Sequence, residues 1–362
     1  MSLETVSIIN FRNLASVRIE LDPKSNFFLG ANGSGKTSLL EAFYFLSSAR
    51  SFTTNNRYSF IMEGKEECMV RGEIKKDLQL SRVGVSRSRS GVLEIRIDGE
   101  KIVRASELAL SLPTILLGPD SIGLLIGSPA RRRRFMNWGT FHVEPLFKEV
   151  WERANRCLKQ RNSALQLKVQ DRDELASWTD GLIKNSLKID EYRAHYIKNL
   201  SPLFAKVLER ISGLKHVELR YFRGWEEKSH LNEVFDRNSE IDSKRGYTSS
   251  GFHRAELKIY IRGRPVTEIC SRGELKSLVW ALKLAQGQVL LREKVPNENK
   301  PIFLVDDLGA EFDEQHRRKI QEYLHETGHQ TIITAIDHFA LSRFTETTSG
   351  KLFHVERGKI RN

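Results

Sequence analysis

Three stretches of the chain carry residue types able to do chemistry together, although they lie far apart in sequence. The first, GANGSGKTS at 30–38, comprises Gly30, Ala31, Asn32, Gly33, Ser34, Gly35, Lys36, Thr37 and Ser38. It fits G-x-x-x-x-G-K-[ST] in full, between a strand-like NFFL and a helix-like SLLEAFYFL. Glycines let successive N–H groups turn toward one anion, and the helix N-terminus adds positive potential there. In such a P-loop Lys36 reaches the β- and γ-phosphates of a nucleoside triphosphate and Thr37 ligates Mg²⁺. The second stretch, PIFLVDD at 301–307, is an apolar strand that emerges on two carboxylates, the form of a Walker B strand. Asp306 is expected to hold Mg²⁺ through water, and Asp307 to polarise the attacking water as general base. A nucleoside triphosphate and Mg²⁺ are therefore the expected ligands. An aspartate base is shorter than a glutamate, so slow hydrolysis is expected.

The third stretch, CSRGELKSLVWALKLAQGQ at 270–288, holds no nucleophile, metal ligand or acid–base pair. Ser271 and Glu274 have the spacing of a capping box, and Leu275, Leu278, Val279, Leu282 and Val289 recur near helical spacing. A cap on a core helix accounts for that much. Yet a small residue and Gly273 at a helix start also leave N–H groups open to an anion. Arg272 has three possible targets at this level: DNA, a partner subunit or phosphate.

Two further patterns have plainer readings. HETGH at 325–329 matches H-E-x-x-H, but Gly328 falls where a helix C-cap is expected and a strand pattern, QTIITAI, follows at once. The run Arg131–Arg134 points all round a helix, so about two arginines face any one partner. They pair with acids or phosphates nearby, or contact DNA directly.

The elements that must position these residues follow from hydrophobic periodicity. VSIINFRNLASVRIEL reads as two short strands joined at FRN, and residues 60–105 read as antiparallel strands with a DGE hairpin at 98–100. PTILLG is another buried strand. From Pro129 to Leu214 the pattern turns helical and rich in Arg, Lys and Glu; strands return at VELRYF and RAELKIYIRG. The expected domains are an ATPase lobe in two parts, 1–128 and 246–362, and a mainly helical lobe at 129–245.

At 362 residues the chain is long enough for one large or two unequal domains. Its 58 Lys and Arg against 46 Asp and Glu give a net charge of +12, which suits an acidic polymer such as nucleic acid. Cys68, Cys157 and Cys270 form neither a disulfide framework nor a CxxC site. With no signal-peptide pattern and no apolar run of membrane-spanning length, a soluble cytoplasmic protein is expected, without a membrane partner.

The order strand–FRN–P-loop, helical lobe, SRGE helix, LVDDLGAEFD and IITAI resembles the ABC-type ATPases of DNA repair. Within them it resembles the RecF family, relatives of the SMC class. NFRNL at 10–14, GANGSGKTSLLEAFYFLSSARSF at 30–52, GSPARRRRF at 127–135 and LKQRNSAL at 158–165 carry the likeness. So do SRGELKSLVWALKLAQG at 271–287, VDDLGAEFDEQHRR at 305–318 and VERGKI at 355–360. SGFHRAEL at 250–257 departs from the family pattern with Phe252 for Pro and Glu256 for Asp; LLGPDS at 116–121 lacks the usual Pro-Glu pair.

The resemblance implies an α/β fold. It is an ABC-type P-loop ATPase head, a mixed sheet with an antiparallel β subdomain, plus a helical second lobe without a long coiled coil. It also implies that Arg12 and Asn13 join the P-loop at the nucleotide and that Asp120 contacts the metal. Ser271, Arg272, Gly273 and Glu274 of one subunit are implied to close over ATP held by another, in an ATP-dependent homodimer. That dimer is expected to bind duplex DNA and single-/double-strand junctions and to work with RecR and RecO in loading RecA. Its weak, DNA-stimulated hydrolysis acts as a switch. Rival readings are an OLD-type ATP-dependent nuclease, which needs an added acid cluster, and a small-molecule P-loop kinase, which needs no distant SRGE helix. A ligand-transport ABC subunit is opposed by the basic helical lobe.

Overall fold

The computed structural model describes residues 1–56, 58–167, 172–292, 300–336 and 350–361. Contacts group the chain into two compact units. Unit 1 comprises Met1–Ser121, Arg210–Ser212 and Asn297–Asn362; unit 2 comprises Ile122–Glu209 and Gly213–Pro296.

Unit 1 is built on two six-stranded sheets. One runs in the order Lys359–Arg361, Lys351–Glu356, Ser25–Leu29, Thr331–Ala335, Ile302–Val305, Thr114–Leu117. Its pairings are parallel except the terminal hairpin between Lys351–Glu356 and Lys359–Arg361. Ser25–Leu29, Ile302–Val305 and Thr331–Ala335 are buried at every position, which explains why none alternates apolar and polar residues: a parallel sheet covered on both faces has no solvent side to alternate with. The other sheet is the antiparallel subdomain, in the order Leu14–Glu20, Ser2–Phe11, Glu67–Lys76, Gln79–Ser88, Leu93–Ile97, Glu100–Ile102. Its last hairpin turns on Asp98 and Gly99, at φ 53 and 88, the left-handed pair that the DGE signal predicts.

The helix Lys36–Ser48 joins the two sheets. Leu39, Leu40, Phe43 and Leu46 sit in one apolar cluster with Leu3, Val6 and Val70 of the antiparallel sheet and Phe28, Leu304 and Ile332 of the parallel one. Each such side chain contributes about 1.5–3 kcal/mol by leaving water. The P-loop thus heads a helix anchored on both sides.

Unit 2 contains the helices Pro129–Val143, Phe147–Leu167, Leu231–Arg245 and Arg272–Arg292, and the long helix Arg172–Ser212 up to Glu209. A small antiparallel sheet completes it: Arg264–Pro265, Glu256–Ile261, Val217–Phe222. Phe147, Val150, Ala154, Leu182 and Ile189 pack with Leu231, Phe235 and Phe252 in its core. A buried ion pair, Arg161 to Asp242 at 2.9 Å, is completed by a bond from Arg161 to Thr248 at 2.7 Å.

One grouping differs from the expected boundary. The SRGE helix groups with unit 2, not with the P-loop as the 246–362 boundary had it. Its apolar side is buried, and Gln286 donates to the Phe135 carbonyl at 3.2 Å and to the Tyr196 hydroxyl at 2.9 Å, tying it to two helices of that unit. The arginine run divides by role. Arg132 forks onto Glu256 at 2.7 and 2.8 Å and donates to the Gly127 carbonyl at 2.7 Å, while Arg133 bonds the Ala255 carbonyl at 3.1 Å. Arg131 and Arg134 stay exposed. Glu256, which departs from the family pattern, is thus the acid that satisfies one of these arginines.

Candidate functional site

The strand Ser25–Leu29 delivers the chain to the P-loop at its C-terminal end, and the helix starts at Lys36. Gly33 and Gly35 are left-handed, at φ 76 and 118, and a Cβ on Gly35 would meet the Asn13 side chain at 2.9 Å. A Cβ on Gly30 would fall 2.3 Å from the Val355 carbonyl. These contacts pin the outside of the loop, while the space beside Gly33 stays open. Asn13 therefore braces the loop through Gly35, with its amide 3.5 Å from the Ser34 carbonyl.

Lys36 folds back over the loop and donates to the Gly30 and Ala31 carbonyls at 2.6 and 3.0 Å. Burial lowers its pKa, opposed by the carboxylates of Asp307 and Asp306. Ala31, Asn32, Gly33 and Thr37 are exposed and Ser38 is half-buried in the first helical turn. Among the described residues the buried Ser34 hydroxyl has no hydrogen-bond partner.

Ile302–Val305 pairs with Thr331–Ala335 on one side and Thr114–Leu117 on the other, so its two acids emerge at the same sheet edge as the P-loop. Thr37 Oγ1 lies 3.4 Å from both oxygens of Asp306. A hydroxyl and a carboxylate facing each other are hard oxygen donors of the kind Mg²⁺ takes alongside phosphates. The open cradle at Gly33, the unpartnered Ser34 hydroxyl and this donor pair fit a nucleotide with its metal.

Thr334, which carries no motif, organises both acids. Its hydroxyl accepts the Asp307 N–H at 3.0 Å and lies 2.9 Å from Asp306 Oδ1. Burial raises the Asp306 pKa, with the bonds from Thr334 and Thr37 opposing it. Asp307 adopts a left-handed backbone, φ 48, and its Oδ1 is buried without a hydrogen-bond partner among the described residues. An acceptor held out of water at this position is ready for a donor such as a water.

Glu41 is a second residue that motif reading misses. Fully buried on the P-loop helix, it takes Arg12 Nε and the hydroxyls of Ser51 and Thr53. Arg12 also reaches Thr53 at 2.5 Å and lines an open cavity of about 440 Å³ with Asn56, Tyr58 and Arg89. Asp120 lies in the short turn Pro119–Ile122, which follows the strand next to Asp306; its side chain is outside the described residues.

Ser271–Glu274 belong to unit 2. The capping box is formed reciprocally: Ser271 N–H donates to Glu274 at 2.8 Å, and Glu274 N–H to the Ser271 hydroxyl at 3.3 Å. Ser271, Arg272 and Gly273 are exposed, and the space over Gly273 is open. HETGH splits as its sequence suggests. Gly328, at φ 66, ends the helix Glu314–Thr327, and His329 turns into the core against the Pro301 carbonyl.

Residues 2–360 match the model for the RecF/RecN/SMC N-terminal domain. The chain is 41% identical to the DNA replication and repair protein RecF of Pseudomonas entomophila (strain L48), over 99% of this chain and 98% of that protein. The RecF of Pseudomonas putida (strain W619) is also 41% identical, with the same coverage. A solved structure of the recombination mediator protein RecF with ATP superposes with a TM-score of 0.85 at 25% identity, covering 99% of this chain and 97% of that one. An Smc head bound to the C-terminal winged-helix domain of ScpA shares the fold, at a TM-score of 0.59 and 14% identity over 100% of this chain and 96% of that one. The P-loop, Walker B strand and SRGE helix stand on this fold in a match spanning the whole chain; it belongs to the RecF family.

Proposed function

We propose that the chain is an ATP-switched DNA-binding protein of recombinational repair and replication-fork maintenance. The observation that carries this reading is the meeting of Thr37 with Asp306, beside a P-loop whose Ala31, Asn32 and Gly33 are exposed. Gly30–Ser38 bind the triphosphate, with Lys36 as its cation. Thr37 and Asp306 hold Mg²⁺, joined by Asp120, and the metal, when bound, neutralises phosphate charge. Asp307 orients the attacking water and takes its proton, slowly for want of a longer side chain. Arg12, fixed by Glu41, and Asn13, behind Gly35, set the loop from the second sheet.

Ser271, Arg272, Gly273 and Glu274 act on the nucleotide of a second copy of the chain. A formed helix cap exposed to solvent, with open space over Gly273, supports that role. The ATP-bound homodimer holds duplex or gapped DNA in the cytoplasm and works with RecR and RecO to load RecA; hydrolysis releases it. Among the described residues no helix is long and apolar enough to cross a membrane.

Light scattering with and without ATP tests the assembly. Wild type is expected to pass from monomer to dimer; Lys36→Arg binds ATP but hydrolyses it poorly; Ser271→Arg binds ATP and stays monomeric. Normal dimerisation of Ser271→Arg removes the closure between subunits. DNA affinity should require ATP and weaken as salt rises.

A further inference from the structure

We propose that the open face of the small sheet in unit 2 is a stacking platform for single-stranded nucleic acid. This deepens the reading above and rests on it, since gapped DNA presents an unpaired stretch.

The register puts Phe222 opposite Glu256, Arg220 opposite Lys258 and Glu218 opposite Tyr260. All six side chains fall on one face, because residues two apart in a strand point the same way. The alternate residues Leu257 and Ile259 are buried on the other face. On the open face Arg220 lies 4.3 Å from the centroid of the Tyr260 ring, and the Lys258 ammonium lies 5.5 Å from that of Phe222. Arg220, Lys258 and Phe222 are exposed, Phe222 by 44%.

Charge chooses the occupant. Both acids of the face already have cations: Glu256 takes the Arg132 fork at 2.7 and 2.8 Å, and Glu218 takes Arg220 at 2.8 Å. Lys258 adds positive charge mid-face, and Arg262 adds more in the hairpin turn beyond Tyr260. A net positive surface carrying two aromatic rings suits a polyanion with flat apolar faces. Duplex bases keep those faces covered by their neighbours, whereas unpaired bases offer them to rings and guanidinium planes. Phe222 and Tyr260 stand four residues apart along the strand direction, roughly 14 Å at ~3.4 Å per residue. Such a gap suits an extended strand with its bases separated. Cross-strand pairing alone stabilises a sheet, but it does not require an exposed ring on a face with net positive charge.

Full-length protein with ATP is titrated against a labelled single strand, a blunt duplex and a gapped duplex. The double variant Phe222→Ala/Tyr260→Ala and the surface variant Lys258→Glu are compared with wild type, each with ATP affinity and melting temperature measured. The proposal expects the double variant to bind the single strand and the gapped DNA about tenfold or more weakly, and the duplex nearly as wild type. Lys258→Glu, which leaves the core untouched, should weaken the same two DNAs and lower their salt dependence. Unchanged binding by both variants overturns the platform and leaves the face to a protein partner. An equal loss on duplex overturns its preference for unpaired bases. Wild type that binds duplex but no single strand overturns this inference alone; wild type that binds no DNA with ATP overturns the proposed function as well.

Discussion

The P-loop edge of unit 1 and the SRGE end of unit 2 treat polar residues in opposite ways. In unit 1 Asp306, Lys36 and Ser34 are drawn out of water, and two buried atoms, Ser34 Oγ and Asp307 Oδ1, have no partner among the described residues. In unit 2 Ser271 and Glu274 satisfy each other in a cap that faces solvent. An unsatisfied buried polar atom costs about 1–3 kcal/mol, so the first region bears strain that a bound group relieves. The second bears none, since its cap is satisfied and faces solvent. The contrast supports a division of labour in which unit 1 holds the chemistry and the SRGE end completes it from outside.

Substitutions at each region test this contrast. Asp307→Asn should reduce ATP turnover by about 10²–10⁴, the usual worth of a general base, while ATP affinity is kept. Turnover near wild type in a steady-state assay removes Asp307 from the base role. Within unit 2, Asp242→Ala leaves Arg161 buried without its acid and should cost about 3–5 kcal/mol in denaturant unfolding. ATP binding to unit 1 should persist where the protein remains folded.

Acid should also strain unit 2. Burial pushes the His142 pKa down to about 3 from an ordinary value near 6.5. Its folded-state pKa is the lower one, so the unfolded chain binds the proton first. Stability is full above pH 6.5 and falls as pH drops toward 3, by about 2 kcal/mol at pH 5. His142→Phe, set beside Trp138 and Phe141, should flatten the melting-temperature slope between pH 7 and 5. An unaltered slope assigns the acid sensitivity elsewhere. The smallest effect is expected at the cap: Ser271→Ala should cost about 1 kcal/mol of stability yet leave ATP binding by the monomer intact. A large loss of ATP affinity in that monomer makes the SRGE end part of the same subunit's site.

The local elements were legible because each rests on contiguous residues. The alternation of residues 6–21, the DGE turn and the capping box formed as strands, hairpin and helix cap. Thr334 and Glu41 were not legible. Thr334 meets the Walker B acids through the parallel pairing of Thr331–Ala335 with Ile302–Val305, and nothing local marks a threonine in an apolar strand. Glu41 looks like the polar side of an amphipathic helix until the antiparallel sheet brings Arg12 to it. The partner of the arginine run was not legible for a similar reason: Glu256, the acid that takes Arg132, lies 124 residues away.

By itself the sequence determined the phosphate loop, the paired acids at the end of an apolar strand, the capped helix and the family. These are short-range patterns whose chemistry depends on neighbours along the chain. Tertiary structure alone decided that Thr37 faces Asp306, that Thr334 holds both acids, and that the SRGE helix groups with unit 2. It also put Lys258 over the exposed Phe222 ring and Arg220 over the Tyr260 ring. Each of these depends on strand register or packing between distant segments, which no local spacing encodes.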